Sequence, residues 1–286
     1  MKRSQIVWML KLSAFFVFAG RAYEHLFWDA PYRSLLWDQN LLQKFVEGVF
    51  NVSWKEYVTS MKADNIIQNI IKINGVFYAI CAALCLIVKQ ESKRFSKQII
   101  AVGGFLLLFL SILLSKSKFY HLAMFLEHSI QFGAPLLLVY LFKINGNLLK
   151  LITPLKIITA LTFVSHGLYA LGKLYPLPGN FVTMTLNILP ITENLAKEFL
   201  FIAGVLDFVA VVFIFIPRLQ KIGLIYAAIW GLITAFARIT SGLTYDVSFS
   251  IFHQYLYTTI YRIPHGLSPL ITLFIINLKE KKQENY

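Results

Sequence analysis

Eight apolar stretches divide the chain, at roughly 5 to 27, 65 to 88, 98 to 115, 120 to 143, 151 to 173, 198 to 217, 221 to 241 and 258 to 278. Each has about the 20 residues a helix needs to cross a hydrocarbon core of about 30 Å. The pattern predicts an all-α polytopic membrane protein with eight transmembrane helices. Polar segments alternate between them. Lys2 and Arg3, then Lys89, Lys93, Arg94 and Lys97, then Lys143 and Lys150, then Arg218 and Lys221, then Lys279, Lys281 and Lys282 fall on every second connection. Short cytoplasmic loops collect Lys and Arg, so both termini are expected in the cytoplasm.

The opposite connections are longer and mixed in sign. Residues 29 to 62 combine Arg33, Lys44, Lys55 and Lys62 with Asp29, Asp38, Glu47 and Glu56, and carry Trp28, Trp37, Phe45, Phe50 and Trp54 at or inside their borders. Aromatic residues in such company suit a helix lying in the membrane interface, which predicts one or two short helices capping the outer face. The outer loop 175–197 opens on Pro176 and Pro178, then Gly179, and returns to apolar residues before Pro190. It reads equally as a lid or re-entrant turn and as an ordinary surface loop.

Composition supports the membrane reading, with 57% hydrophobic residues and a mean hydropathy of +0.64. A formal charge of +13 is spread over short inter-span segments and forms no single stripe, so no nucleic-acid partner is expected. Cys81 and Cys85 lie four apart in an apolar run, away from any metal-ligand company and without C-x-x-C spacing, and read as small core residues. The N-terminus imitates a signal peptide, but Lys11 interrupts its apolar run and no clean small-x-small site precedes Arg21, so it reads as a retained first span.

The two halves resemble each other. Phe15 to Tyr23 (FFVFAGRAY) stands beside Leu161 to Tyr169 (LTFVSHGLY), Asn74 to Tyr78 (NGVFY) beside Ala203 to Asp207 (AGVLD), and Gln131 to Tyr140 (QFGAPLLLVY) beside His265 to Phe274 (HGLSPLITLF). The pairs keep their order, which predicts two four-helix repeats, 1–150 and 151–286, inserted in parallel because four is even.

Intramembrane polar residues are the candidate site. Ionisable groups at depth cost roughly 2.5 to 3.5 kcal/mol each on insertion scales, so they need partners or a task. Arg21, Glu24 and His25 share one helix face at i, i+3 and i+4. Outward spans carry theirs late (Arg21, Glu24, His25, His166, Arg238), and inward spans early (Glu127, His128, Gln131, Arg262, His265). Asp207, and Lys72 with Asn74, lie nearer the middle. All of this places the costly groups in the outer half or near the midplane. Two readings follow: interhelical salt bridges that fix the bundle, or a polar pocket open to the outer side and lined by His25, His128, His166 and His265. Glu24 with His25, and Glu127 with His128, are sequence neighbours that diverge by about 100° on a helix, so a metal site is not expected. No nucleotide-binding loop or G-x-S-x-G elbow appears.

Phe163 to Gly172 (FVSHGLYALG), Pro176 to Met184 (PLPGNFVTM), Ala203 to Phe208 (AGVLDF) and Trp230 to Arg238 (WGLITAFAR) together resemble the DoxX/DoxD-like family of four-helix membrane proteins. The resemblance covers roughly residues 151 to 280, with the first half a divergent copy. It implies a four-helix fold, a bacterial inner-membrane location and an association with quinone-linked oxidation, redox-enzyme maturation or membrane assemblies. It supplies no agreed catalytic residue. The expected function is a membrane component that binds a quinone or lipid-like ligand through its outer-half pocket, with quinone the candidate cofactor. Under this reading His25 and His166 donate to the ligand, Arg21 and Arg238 hold anionic groups, and Glu24 or Asp207 relays protons. The alternatives are an assembly or scaffold protein meeting a membrane partner through residues 29 to 62, and a small-solute transporter.

Overall fold

The computed structural model describes residues 2–243 and 249–284, and among them every regular element is helical. α1 (Arg3–Phe27) is followed by three short helices, α2 (Arg33–Leu36), α3 (Gln39–Phe50) and α4 (Trp54–Thr59). Then come α5 (Met61–Ile87), α6 (Arg94–Ser117), α7 (Leu122–Glu127) and α8 (Ser129–Lys143). The second half holds α9 (Ile152–Leu171), α10 (Gly179–Ile188), α11 (Glu193–Phe215), α12 (Gln220–Thr240), α13 (Phe249–Ile260) and α14 (Ile263–Glu284). Seven stretches among the described residues are long and apolar enough to cross a membrane: α1, α5, α6, α9 with its 3-10 lead-in, α11, α12, and the tandem α13–α14. The molecule is thus a multi-pass membrane protein.

Local sequence sets the helix ends. Asp38, Ser53, Ser60 and Thr192 each accept a hydrogen bond from the backbone N–H three residues on, capping α3, α4, α5 and α11. α9 stops at Gly172, whose φ of +63° suits glycine. The expected stretch 120 to 143 is not one continuous helix. It divides at His128 into α7 and the 15-residue α8, with Glu127 and His128 both buried at the break. Further on, Pro135 removes one backbone donor from α8. The last stretch divides in the same way at Tyr261 and Arg262, between α13 and α14. The outer loop forms three short helices where one or two were expected, and it is tied down by the Lys116 ammonium bonded to Asp38 and by Arg33 bonded to Asp64.

α1 packs along α5 and α8, and α6 along α8. In the second half α9 packs along α11 and α14, and α12 along α14. Between halves, α1 meets α13 and α14 while α9 meets α7 and α8. Small residues allow these crossings. A Cβ on Gly231 of α12 would lie 2.6 Å from the carbonyl of His265 in α14, and one on Gly20 of α1 would lie 2.6 Å from the Tyr261 nitrogen. Outer faces stay apolar: Ile66, Ile70, Ile73, Ile80 and Ile87 of α5 and Ile202, Leu206 and Val209 of α11 are exposed, which suits contact with lipid tails.

Candidate functional site

The second half contains a cavity of about 220 Å³ bounded by α9, α10, α11 and α12. α10 forms its roof with Phe181, Met184, Thr185 and Ile188. The prolines at 176 and 178 keep the chain extended until Gly179, and α10 then turns back over the bundle. The roof is fastened at its far end, where Asn187 Nδ2 donates to the Ser241 carbonyl at 3.0 Å. The loop expected to be either a lid or a plain surface segment is therefore a helix over a cavity.

The walls are mostly apolar, with Phe199, Leu200 and Ala203 from α11 and Trp230 and Ile233 from α12. Three ionisable residues also line it: His166, Asp207 and Arg238. Arg238 is 8% exposed, and its Nη1 donates to the Thr234 carbonyl one turn back at 2.6 Å. No carboxylate lies within 4.0 Å of it among the described residues. Asp207 is 2% exposed and accepts a hydrogen bond from the Tyr226 hydroxyl at 3.2 Å. Tyr226, Trp230, Thr234 and Arg238 recur every four residues, so they share the inward face of α12.

Behind the cavity lies a buried polar core. His166 Nε2 is 3.6 Å from Glu127 Oε1, and the same carboxylate pairs with the Arg262 guanidinium. The imidazoles of His166 and His265 stand 5.5 Å apart between ring centres. His265 is fully enclosed, and neither of its ring nitrogens has a hydrogen-bond partner. Glu127 and Arg262 sit at the two helix breaks, so the ion pair joins the ends of α7 and α13.

Arg21, Glu24 and His25 occupy a different place. Arg21 donates through Nε and Nη2 to Gln131 Oε1 at 3.0 and 2.6 Å and through Nη1 to Glu24 Oε2 at 2.7 Å. Its guanidinium also lies 4.0 Å from the centre of the Tyr261 ring. His25 bonds the Arg21 carbonyl through Nδ1 at 2.7 Å and stands edge-on to Tyr78 and Tyr32. Asn74 donates to Tyr32. His128 is held by Nδ1 on the Met124 carbonyl at 2.7 Å. These groups fill the first half and do not border the cavity, and Lys72 is exposed on α5.

Of the ten sequence candidates, then, His166, Asp207 and Arg238 line the cavity. Glu127, Arg262 and His265 form the layer behind them, while Arg21, Glu24, His25 and His128 are drawn into hydrogen bonds elsewhere. Sequence reasoning missed Tyr226, Thr234 and Thr185. The four-residue recurrence on α12 was the signal available for the first two. No cluster of three or more His, Cys, Asp or Glu side chains suited to a metal ion occurs among the described residues. Compared with known proteins, the chain matches no family model, no curated protein and no solved structure.

Proposed function

We propose that this membrane protein binds an amphiphilic ligand, quinone-like or lipid-like, in the cavity beneath α10. One observation carries the reading. Ile188, Phe199 and Ile233 line the cavity and are also 42%, 39% and 51% exposed, so its mouth lies on an apolar, membrane-embedded flank. A ligand that enters there dissolves first in the bilayer. Inside, an apolar wall with a few polar groups is the usual makeup of a small-molecule site.

The architecture we propose around it is eight spans in two parallel four-helix repeats, with both termini cytoplasmic in a bacterial inner membrane. Its support is that the pairings of α1, α5, α6 and α8 recur among α9, α11, α12 and α14. In the alignment of Gln131 with His265, the helix breaks also coincide, since Ser129 and Ile263 both open the helix after the break. Kinship with DoxX/DoxD-like proteins belongs to the same proposal. The motifs that carry that resemblance contribute His166, Asp207, Trp230 and Arg238, all at the cavity.

The test is to purify the protein in native-lipid discs and extract its bound small molecules for mass spectrometry. A quinone or single-chain lipid that co-purifies near one per protein, and is lost in a His166→Ala, Arg238→Gln double variant, supports the reading. A wild-type protein that retains no amphiphile and binds none on addition overturns it.

A second reading, a scaffold that meets a membrane partner through residues 29 to 62, draws on the closed hydrogen bonding of Arg21 and on exposed Leu41, Phe45 and Val49 along one face of α3. A partner that co-purifies with wild type and is lost on Phe45→Lys would favour it.

A further inference from the structure

The polar groups of the cavity are not equivalent, and their arrangement names a head group. The other two buried arginines of the membrane-embedded core each have a carboxylate partner among the described residues. Arg21 has Glu24, and Arg262 has Glu127. Among the described residues Arg238 has the Thr234 carbonyl on Nη1 as its hydrogen-bond partner, and it lines the cavity. Removing a guanidinium from water without a counter-charge costs several kcal/mol after relaxation. A bound anion would supply the missing charge, and the planar fork fits a two-oxygen anion better than a single acceptor.

Asp207 does not fill that need. It is bonded to Tyr226, whereas the Arg238 guanidinium folds back to the level of Thr234. Those two α12 positions are eight residues apart, about 12 Å along the axis at 1.5 Å per residue. The wall between them is Trp230, Phe199, Leu200 and Ala203. A quinone ring is too short to reach both ends, and a zwitterionic head too compact. A hydrocarbon chain fits the wall between them. It gains nothing against the Asp207–Tyr226 pair at the deep end, so its remainder leaves sideways past Phe199 and Ile233.

We infer that the cavity takes a single-chain amphiphile with an anionic two-oxygen head, a carboxylate or a phosphate monoester. The head sits on Arg238 beside His166 and the chain lies against Trp230. The inference rests on the amphiphile-binding reading and sharpens its ligand class.

The fluorescence of Trp230, which lines the cavity, provides the assay. Protein in discs of uncharged lipid is titrated with a dibrominated stearic acid, with its methyl ester, with a brominated lysophosphatidic acid, and with a neutral quinone, which itself quenches indole fluorescence. Trp230→Phe serves as the blank. Saturable quenching by at least one anion is expected, and Arg238→Gln should weaken it about tenfold or more, as loss of a charge-assisted contact predicts. The ester should bind Arg238→Gln as it binds wild type, which also shows that the variant is folded. Arg238→Lys, which keeps the charge without the fork, should fall between. Preference for stearate or for the lysophosphatidate identifies the head group.

Equal binding of acid and ester, or an acid affinity indifferent to Arg238→Gln, overturns the inference. A neutral quinone bound with no help from Arg238 overturns it too, while leaving the amphiphile reading intact. If no brominated amphiphile or quinone binds at all, both fall.

Discussion

Glu127 and Arg262 are 135 positions apart in the chain and touch at the centre of the bundle. Opposite charges buried together gain little over an apolar pair, yet removing one partner strands the other. Glu127→Ala should therefore lower the unfolding free energy by about 3 to 5 kcal/mol, read by denaturant titration in micelles. The double variant Glu127→Leu, Arg262→Leu should recover most of that loss, and a double variant as unstable as the single one would refute the account. Both residues stood out in the sequence as expensive charges at depth. Their pairing was not legible, because it depends on how two broken helices cross. The same limit applied to Arg21. Its Glu24 partner is visible at i+3, but Gln131, which takes two of its donors, lies in another span. The sequence located the polar residues; only packing set apart the three that line a cavity.

The long helices were readable from hydropathy because lipid tolerates apolar residues all round a helix. The breaks at His128 and at Tyr261–Arg262 were not, since an apolar window averages across them. Close approach of backbones is likewise invisible until the partner helix is known. At Gly231 an added methyl group meets the His265 carbonyl at 2.6 Å, and backbone cannot swing aside as a flexible side chain would. Gly231→Ala should cost about 1 to 3 kcal/mol by overpacking, lowering the melting temperature of the purified protein, whereas Gly48→Ala, which has open space around it, should not. The outer helices have a pH limit of their own. The hydrogen bond from Lys116 holds the Asp38 carboxyl below its ordinary value. A carboxyl with a depressed folded pKa contributes stability above its unfolded value of about 3.9, and that contribution is lost as pH falls through the lower folded value. Hydrogen-exchange protection of α3 should thus decline below about pH 4 in wild type. In Lys116→Met it should already be reduced at pH 6, with little further change on acidification.

For the molecule as a whole, charge and span parity predict a topology that labelling can check. A cysteine placed at Lys93 should react with a membrane-impermeant maleimide only from the cytoplasmic side, and one at Asn180, in the first turn of the roof helix, only from the outside. Native Cys81 and Cys85 are fully buried and should stay silent. Reaction of both introduced cysteines from one side would break the proposed eight-span arrangement. The internal likeness read in the sequence held no sign of how the two halves differ. In the first half the ring of Tyr78 packs edge-on against His25, whereas in the second Asp207 lines the cavity.

Under the proposed amphiphile binding, the mouth rimmed by Ile188, Phe199 and Ile233 changes how occupancy must be counted. A pocket filled from the bilayer answers to the mole fraction of its ligand among the surrounding lipids, not to an aqueous concentration. A modest intrinsic affinity then suffices when the ligand is a regular membrane constituent. The filled fraction of the protein would follow the composition of the membrane around it.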